Sequence, residues 1–312
     1  AVFAIAMPFA GSLMARWGPK KTAMLGGWLV GTGWILASFS PNISILTILY
    51  GVIGGAGVGI VYGCPITVVA KWFPHKSGLA IGLTVMGFGI SALLIAPLIK
   101  TMIDNPSIGI LNTFLYLGIA FMVVIMLLAQ LLSFPPAGWT PAEIKTAFAA
   151  TSAESTPDLS RQAMLKTRNF YALWVIYTIG CLAGLMAIGI ASPVGTEVAK
   201  LDTTIAALAV SLFAVFNGLG RPIFGALTDK VGPKHAAIVS FTMILGASLL
   251  IFFLGQGNAT VYLFAFCVLW MCLGGWLAIA PTATGILFGK KHYAQNYGVV
   301  FTAYGAGAIL GT

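Results

Sequence analysis

Charged residues are scarce in this chain. Only 7% of its 312 residues are Asp, Glu, Lys or Arg, whereas 59% are apolar and the mean hydropathy is +0.99. A soluble domain needs about 25% charged residues, because its surface faces water. The shortage of charge therefore excludes a soluble globular enzyme, a disordered chain and a nucleic-acid-binding protein. It predicts a polytopic α-helical membrane protein, with the lipid bilayer as its surroundings.

Motifs for catalysis are also missing from the sequence. It contains no phosphate-binding loop of the GxxxxGK[ST] type and no catalytic or metal-ligating cluster at a membrane face. We therefore expect neither an enzyme nor an ATP-driven pump, and no metal or cofactor. The cysteines lie in apolar stretches without a CxxC pair, which favours a packing role. They are Cys64, Cys181, Cys267 and Cys272.

Long apolar runs are what the sequence does have. A helix that crosses a bilayer needs about 20 predominantly apolar residues. A scan on this rule predicts ten segments, of which the first and the last are clipped by the ends of the chain. Because apolar runs reach both Ala1 and Thr312, we expect the chain to be an internal piece of a longer membrane protein. The predicted segments are 1–15, 22–39, 44–70, 78–99, 110–133, 170–192, 204–227, 236–254, 260–288 and 297–312.

A polar, proline-containing stretch separates the fifth segment from the sixth. It predicts three parts: an N-terminal helical half at 1–133, a central loop at 134–168 and a C-terminal helical half at 169–312. The two halves repeat each other, since residues 8–21 match residues 222–235 at six of fourteen positions. The identical pairs are Pro8/Pro222, Gly11/Gly225, Leu13/Leu227, Gly18/Gly232, Pro19/Pro233 and Lys20/Lys234.

All six pairs share one offset in the numbering, which is 214. A weaker echo, in which Thr84, Gly87 and Gly89 match Thr302, Gly305 and Gly307, suggests an offset of 218. The segments follow the same order in both copies, so the repeat is parallel. Six helices in each half would leave the first and last helices outside this chain.

Lysine and arginine collect in alternate loops, which predicts the orientation. Thirteen lie on the side of the central loop, and only Lys100 and Lys200 lie on the other. We therefore expect the central loop to be cytoplasmic, in a plasma or bacterial inner membrane. The thirteen are Arg16, Lys20, Lys21, Lys71, Lys76, Lys145, Arg161, Lys166, Arg168, Lys230, Lys234, Lys290 and Lys291.

The sixteenth cation, Arg221, falls within an apolar segment. It lies on the order of 10 Å from the polar residues that begin at Asp229, and a charge at such depth costs about 2.5–3.5 kcal/mol. One explanation is that Arg221 binds a transported anion through the two-pronged guanidinium. The alternative is a structural arginine, paired with a group outside this chain or reaching towards water.

Four other residues are candidates for the same substrate site. Asn217 lies one helical turn before Arg221, where it could orient the guanidinium, bind the substrate or join two helices. Tyr62, Tyr304 and Trp276 could line the cavity, although packing or an interface belt is the commoner role of such aromatic residues, and the hydroxyls of Tyr62 and Tyr304 could also satisfy a carboxylate.

The repeated Gly-Pro-Lys segments resemble the loop signature of the major facilitator superfamily. Gly225, Asp229, Lys230 and Gly232 match it in the second half. Gly11, Arg16 and Gly18 match it in the first half, where Ala15 occupies the position of the acid. The resemblance implies two pseudo-symmetric six-helix halves and a gating role for this loop.

More narrowly, the chain is similar to the oxalate:formate antiporter family, through segments 216–225, 61–66 and 296–305. The resemblance implies that Arg221 binds a substrate carboxylate, while Tyr304 occupies the position of a second cation in the oxalate carrier. We therefore predict a monomeric transporter of a monocarboxylate such as formate or lactate, working by antiport or proton symport with alternating access. The alternatives are an oxalate or other dicarboxylate antiporter and, in another class, a membrane-embedded enzyme or a non-transporting sensor.

Overall fold

A computed structural model of the protein describes residues 1–136, 139 and 158–311, and these fold into helices without strands. Most of the predicted central loop, including Lys145, lies outside this part of the chain. The first half contains α1 (Val2–Ala37), α2 (Ile43–Leu46), α3 (Gly55–Trp72), α4 (Ser77–Asp104) and α5 (Gly109–Ala129). The second contains α6 (Arg161–Met164), α7 (Arg168–Pro193), α8 (Thr203–Leu254), α9 (Ala259–Phe288), α10 (Tyr293–Val300) and α11 (Thr302–Gly311). Two π-helical stretches, Thr47–Gly54 and Val194–Val198, precede α3 and follow α7.

Two of these helices bend sharply at the repeated Gly-Pro-Lys segments. Gly18 interrupts α1 with φ 78° and ψ 172°, and Gly232 interrupts α8 with φ 82° and ψ 162°. Only glycine adopts these angles without strain. Each following proline fits the first turn of the new arm, where its missing N–H is not needed. The same three residues therefore produce the same bend in both halves.

The chain reverses direction at each bend. A straight helix would separate Phe3 from Val30 by about 40 Å, yet both contact α3, where Gly59 meets Phe3 and Gly57 meets Val30. In the same way, Asn217 and Ser240 flank α8's bend and both contact α9. Each long helix is thus two antiparallel arms, which agrees with two of the predicted segments in each case.

Six helices of the described residues are long and apolar enough to cross a membrane, counting α8 as one. The all-helical prediction is confirmed for this part of the chain. Some predicted boundaries differ from the structure by four or five residues: α4 ends at Asp104 rather than 99, α5 ends at Ala129 rather than 133, where the chain turns at Gln130, and the last segment begins at Tyr293 rather than 297.

The two halves meet along two interfaces, one between α1 and α10–α11 and one between α8 and α4. Glycines allow the backbones to approach so closely that an added Cβ would overlap the facing helix. The facing pairs of the first interface are Gly11–Ala294, Met7–Gly298 and Ala4–Gly305. Those of the second are Gly225–Gly78, Arg221–Gly82 and Gly218–Gly89.

These pairs define how the repeat aligns in three dimensions. Positions in α1 and α8 correspond at the offset of 214 that the sequence predicts, whereas positions in α4 and α10–α11 correspond at an offset of 216. The offset of 218 suggested by the glycine echo is therefore wrong, because glycines two positions apart match in more than one register. The corrected alignment pairs Arg221 with Met7 and Tyr304 with Phe88.

We expect Gly232→Ala to destabilise the protein, because an alanine would occupy a backbone conformation that costs about 1–3 kcal/mol outside glycine. Thermal unfolding of the detergent-solubilised protein should show a lower midpoint. Gly246→Ala is the matched control, since it lies on the same arm with open space around it and ordinary helical angles. Equal midpoints for the two variants would contradict the assigned role of the bend.

Candidate functional site

Arg221 lies at the centre of the interface between α8 and α4, and only 2% of its surface is exposed. Its Nη1 donates to the backbone oxygen of Val85 at 2.7 Å, across the interface. The guanidinium carbon also lies 5.4 Å from the centre of the Phe88 ring, a distance at which the cation attracts the ring face. The Nε–H has no hydrogen-bond partner, so this donor of the guanidinium is unused.

Asn217 holds the guanidinium in place. Its Oδ1 accepts a hydrogen bond from Nη2 of Arg221 at 3.1 Å, and its Nδ2 donates to the backbone oxygen of Trp270 at 3.1 Å. Because both ends of the amide are engaged, Asn217 orients Arg221 and also joins α8 to α9. These are two of the three roles that the sequence left open.

Aromatic rings surround the charged group. We call Phe3, Tyr62, Phe88, Phe301 and Tyr304 the aromatic cluster, since neighbouring ring centres lie 5.0–6.4 Å apart. Tyr62 and Tyr304 both lie near Arg221. The hydroxyl of Tyr62 is buried without a hydrogen-bond partner, which leaves it free to bind a polar ligand atom.

Trp276 is deeper in the second half than the aromatic cluster. It is fully buried between Tyr177, at 6.2 Å between ring centres, and Phe241, at 5.1 Å. The structure therefore brings together Arg221, Asn217, Tyr62 and Tyr304, and separates Trp276 from them by the Tyr177 ring.

Sequence reasoning missed three members of the aromatic cluster, Phe3, Phe88 and Phe301. It also missed the buried hydroxyls of Tyr177 and Tyr297, which lack hydrogen-bond partners. Phenylalanine is too frequent in the chain, at 20 residues, to single out these positions. Only the corrected alignment of the two halves points to Phe88, because Phe88 is equivalent to Tyr304.

No carboxylate of the described residues contacts Arg221. The same part of the chain contains no cluster of His, Cys, Asp and Glu that could hold a metal ion, and all four cysteines are buried as free thiols. The site is therefore a positive charge beside the aromatic cluster, and neutral oxygens accept two of its hydrogen bonds. Such an arrangement attracts an anion.

The predicted loop motif lies at one end of the helix bundle, the end at which the central loop connects the halves. We call it the loop end. Asp229 receives backbone hydrogen bonds from Gly78 and Leu79, each at 2.8 Å. These are first-turn N–H groups of α4, where a carboxylate also interacts favourably with the helix dipole. Asp229 thus links the two halves at the loop end.

The basic residues of the motif contribute less than Asp229 to the contact between the halves. Arg16 and Lys230 are exposed and form no hydrogen bond or ion pair with the described residues. Lys290 is better placed, because its Nζ donates to the backbone oxygen of Pro74 at 2.6 Å. Burial lowers the pKa of Lys290, while the nearby charge of Asp229 acts to raise it.

Comparisons with known proteins agree with this architecture. The sequence profile of the Major Facilitator Superfamily matches residues 1–312. The chain is 29% identical to the oxalate:formate antiporter of Oxalobacter formigenes over 307 residues, 97% of this chain and 70% of that protein. It is 26% identical to monocarboxylate transporter 13 of Rattus norvegicus over 315 residues, 97% of this chain and 68% of that protein. The E. coli fucose:proton symporter FucP shares the fold, with a TM-score of 0.71 at 16% identity over 99% of this chain and 80% of that one.

We expect Asp229→Ala to lower the thermal unfolding midpoint by a few degrees, because two charge-assisted hydrogen bonds to α4 are lost, worth about 1–2 kcal/mol at a helix start. Asp104→Ala is the control, since the contact of Asp104 with the described residues is an exposed ion pair with Lys100, and such pairs contribute about 0–1 kcal/mol. A fall of the same size in both variants would show that Asp229 has no special role.

Proposed function

The chain belongs to the Major Facilitator Superfamily, and from this premise we propose that it is a secondary active transporter of a small monocarboxylate such as formate or lactate. It is an integral membrane protein of a transporter family whose members carry small molecules. In this proposal Arg221 binds the substrate carboxylate between the two halves, which rock about it to expose the site to each side in turn.

The observation that carries the proposal is the uncompensated charge of Arg221. Burying an arginine in a bilayer costs several kcal/mol unless an anion accompanies it, and no carboxylate of the described residues does so. The free Nε–H and the unpartnered Tyr62 hydroxyl supply donors for a carboxylate oxygen. The rings of the aromatic cluster exclude water, which strengthens that attraction.

The repeat supports a substrate with one carboxylate. The position equivalent to Arg221 in the first half is Met7, and the position equivalent to Tyr304 is Phe88. The described site therefore offers one cation rather than two, and its other walls are apolar or phenolic. A monocarboxylate with a small apolar or hydroxylated tail satisfies both features, whereas a dicarboxylate would leave its second charge unpaired.

Two further elements of the proposal concern coupling and orientation. Asn217 provides no titratable group beside Arg221, which favours exchange of anions over proton symport.

The excess of lysine and arginine at the loop end favours a cytoplasmic position for that end, in a plasma or bacterial inner membrane.

We expect Arg221→Ala to reduce uptake of labelled lactate or formate by the full-length protein in proteoliposomes at least about tenfold, because a charged hydrogen-bonded contact is worth about 1.5–3 kcal/mol. Arg221→Lys should recover part of the loss, since it keeps the charge but not the planar fork. The control is Arg168→Ala, which removes an exposed arginine at the start of α7. Unchanged uptake and affinity in Arg221→Ala would overturn the proposal.

A second experiment separates monocarboxylates from dicarboxylates. Tyr304→Lys places a second cation beside Arg221, so oxalate should become a stronger competitor of lactate uptake by at least severalfold. Tyr304→Phe removes the hydroxyl without adding charge and should leave the ratio of the two affinities unchanged. If wild-type protein already prefers oxalate to lactate, the dicarboxylate alternative is correct.

A further inference from the structure

A small cavity of about 60 Å³ lies at the loop end, on the interface opposite to the one that Asp229 occupies. It is formed where α1 meets the start of α10, about two helical turns along α1 from Met7, the position equivalent to Arg221. Its lining includes Ala15, Lys71, Phe134, Lys291, His292 and Gln295. Three of these side chains are basic, and none of the described residues that line the cavity is acidic.

The repeat shows what occupies the equivalent place in the other half. Ala15 corresponds to Asp229, while Ala294 and Gln295 correspond to Gly78 and Leu79, the two residues whose N–H groups bind the Asp229 carboxylate. The molecule therefore contains the same helix start twice. On one side a carboxylate of the chain binds it, and on the other side the chain supplies a methyl group.

The donors around this cavity are not used by the described part of the protein. The N–H groups of Ala294 and Gln295 have no hydrogen-bond partner there, and His292 provides no side-chain cap to α10. Helix starts normally obtain such partners, because their first N–H groups have none within the helix.

The cationic side chains of the cavity are likewise without a counter-ion among these residues. Lys71 lies 3.9 Å from the centre of the Phe134 ring, and neither it nor Lys291 forms an ion pair there. Asp158, an acid near the cavity, instead accepts backbone hydrogen bonds from Lys290 and Lys291 at 2.9 and 3.0 Å.

We propose that this cavity binds a small carboxylate anion of the size of formate or acetate. Lys71 and Lys291 supply positive charge, and the N–H groups of Ala294 and Gln295 supply the two hydrogen bonds that Gly78 and Leu79 give to Asp229. The bound anion would lie between α1 of one half and α10 of the other, so it stabilises the contact between the two halves at the loop end. It is a second site, independent of Arg221 and of the transported substrate.

The test uses the full-length protein carrying Arg221→Ala in lipid nanodiscs, so that the anion cannot act through the central site. The thermal unfolding midpoint is measured against acetate concentration, with a bulky sulfonate keeping the ionic strength constant. The midpoint should rise by a few degrees and saturate, as for a ligand that binds only the folded state. No rise would overturn the proposal, and because Arg221 is absent, this result is separate from the fate of the proposed transport function.

Three further substitutions in the same background locate the effect. Ala15→Asp supplies the carboxylate from the chain, so the midpoint should be high without acetate and insensitive to it. Ala15→Asn fills the same space without charge and should lose the acetate response without the full gain in stability. Position 15 is exposed, so both side chains can be accommodated.

Lys291→Ala should weaken the acetate response at least severalfold, whereas Lys200→Ala, which removes an exposed lysine at the opposite end, should leave it unchanged. An acetate response of equal size in the Ala15→Asp and Lys291→Ala variants and their parent would show that the anion binds elsewhere, and would overturn the proposal. Lys291→Ala decides the question even if a variant at position 15 fails to fold.

Discussion

A buried guanidinium must find acceptors for its N–H groups, and in this protein the acceptor for Nη1 comes from the opposite half. Arg221 donates to the backbone oxygen of Val85, and the two helices approach closely enough for this bond because Gly82 and Gly218 lack side chains. The charge, the glycine contacts and the contact between halves are therefore parts of one arrangement. A larger residue at either glycine would separate the helices and break the hydrogen bond from Arg221 to the backbone oxygen of Val85.

Because the two halves share one fold, the equivalent positions at which their residues differ indicate where one half has a role of its own. The bends at Gly18 and Gly232 and the paired glycine contacts are the same in both halves, as expected for a structural requirement that both must meet. Charge is distributed unequally: Arg221 corresponds to Met7, and Asp229 corresponds to Ala15. Each half folds with a different residue at these equivalent positions, so each difference indicates a position that has been adapted to one half.

Several features were predictable from the sequence because the residues involved differ in type or spacing from their surroundings. A lone arginine in an apolar segment identifies Arg221, helical spacing identifies Asn217 as its neighbour, and the Gly-Pro-Lys copies identify the bends. Other features leave no local signal. A backbone carbonyl such as that of Val85 is present at every position, and phenylalanines such as Phe88 resemble the other apolar residues of a membrane helix. The repeat offset of 218 was wrong because closely spaced glycines match in several registers, and only the contacts between helices distinguish them.

The bond between Arg221 and Val85 has a kinetic consequence. In the proposed transport cycle, a ligand that binds the full guanidinium would compete with a contact that holds the halves together, and its apparent affinity would be reduced by the fraction of molecules in which the guanidinium is available. Under that proposal, substrate binding and opening would be coupled at one side chain, because each bound anion would weaken the contact between α8 and α4. Turnover would be fastest at an intermediate strength of the hydrogen bond to Val85. The bond must be strong enough to limit opening of the empty protein, yet weak enough for the substrate to displace it.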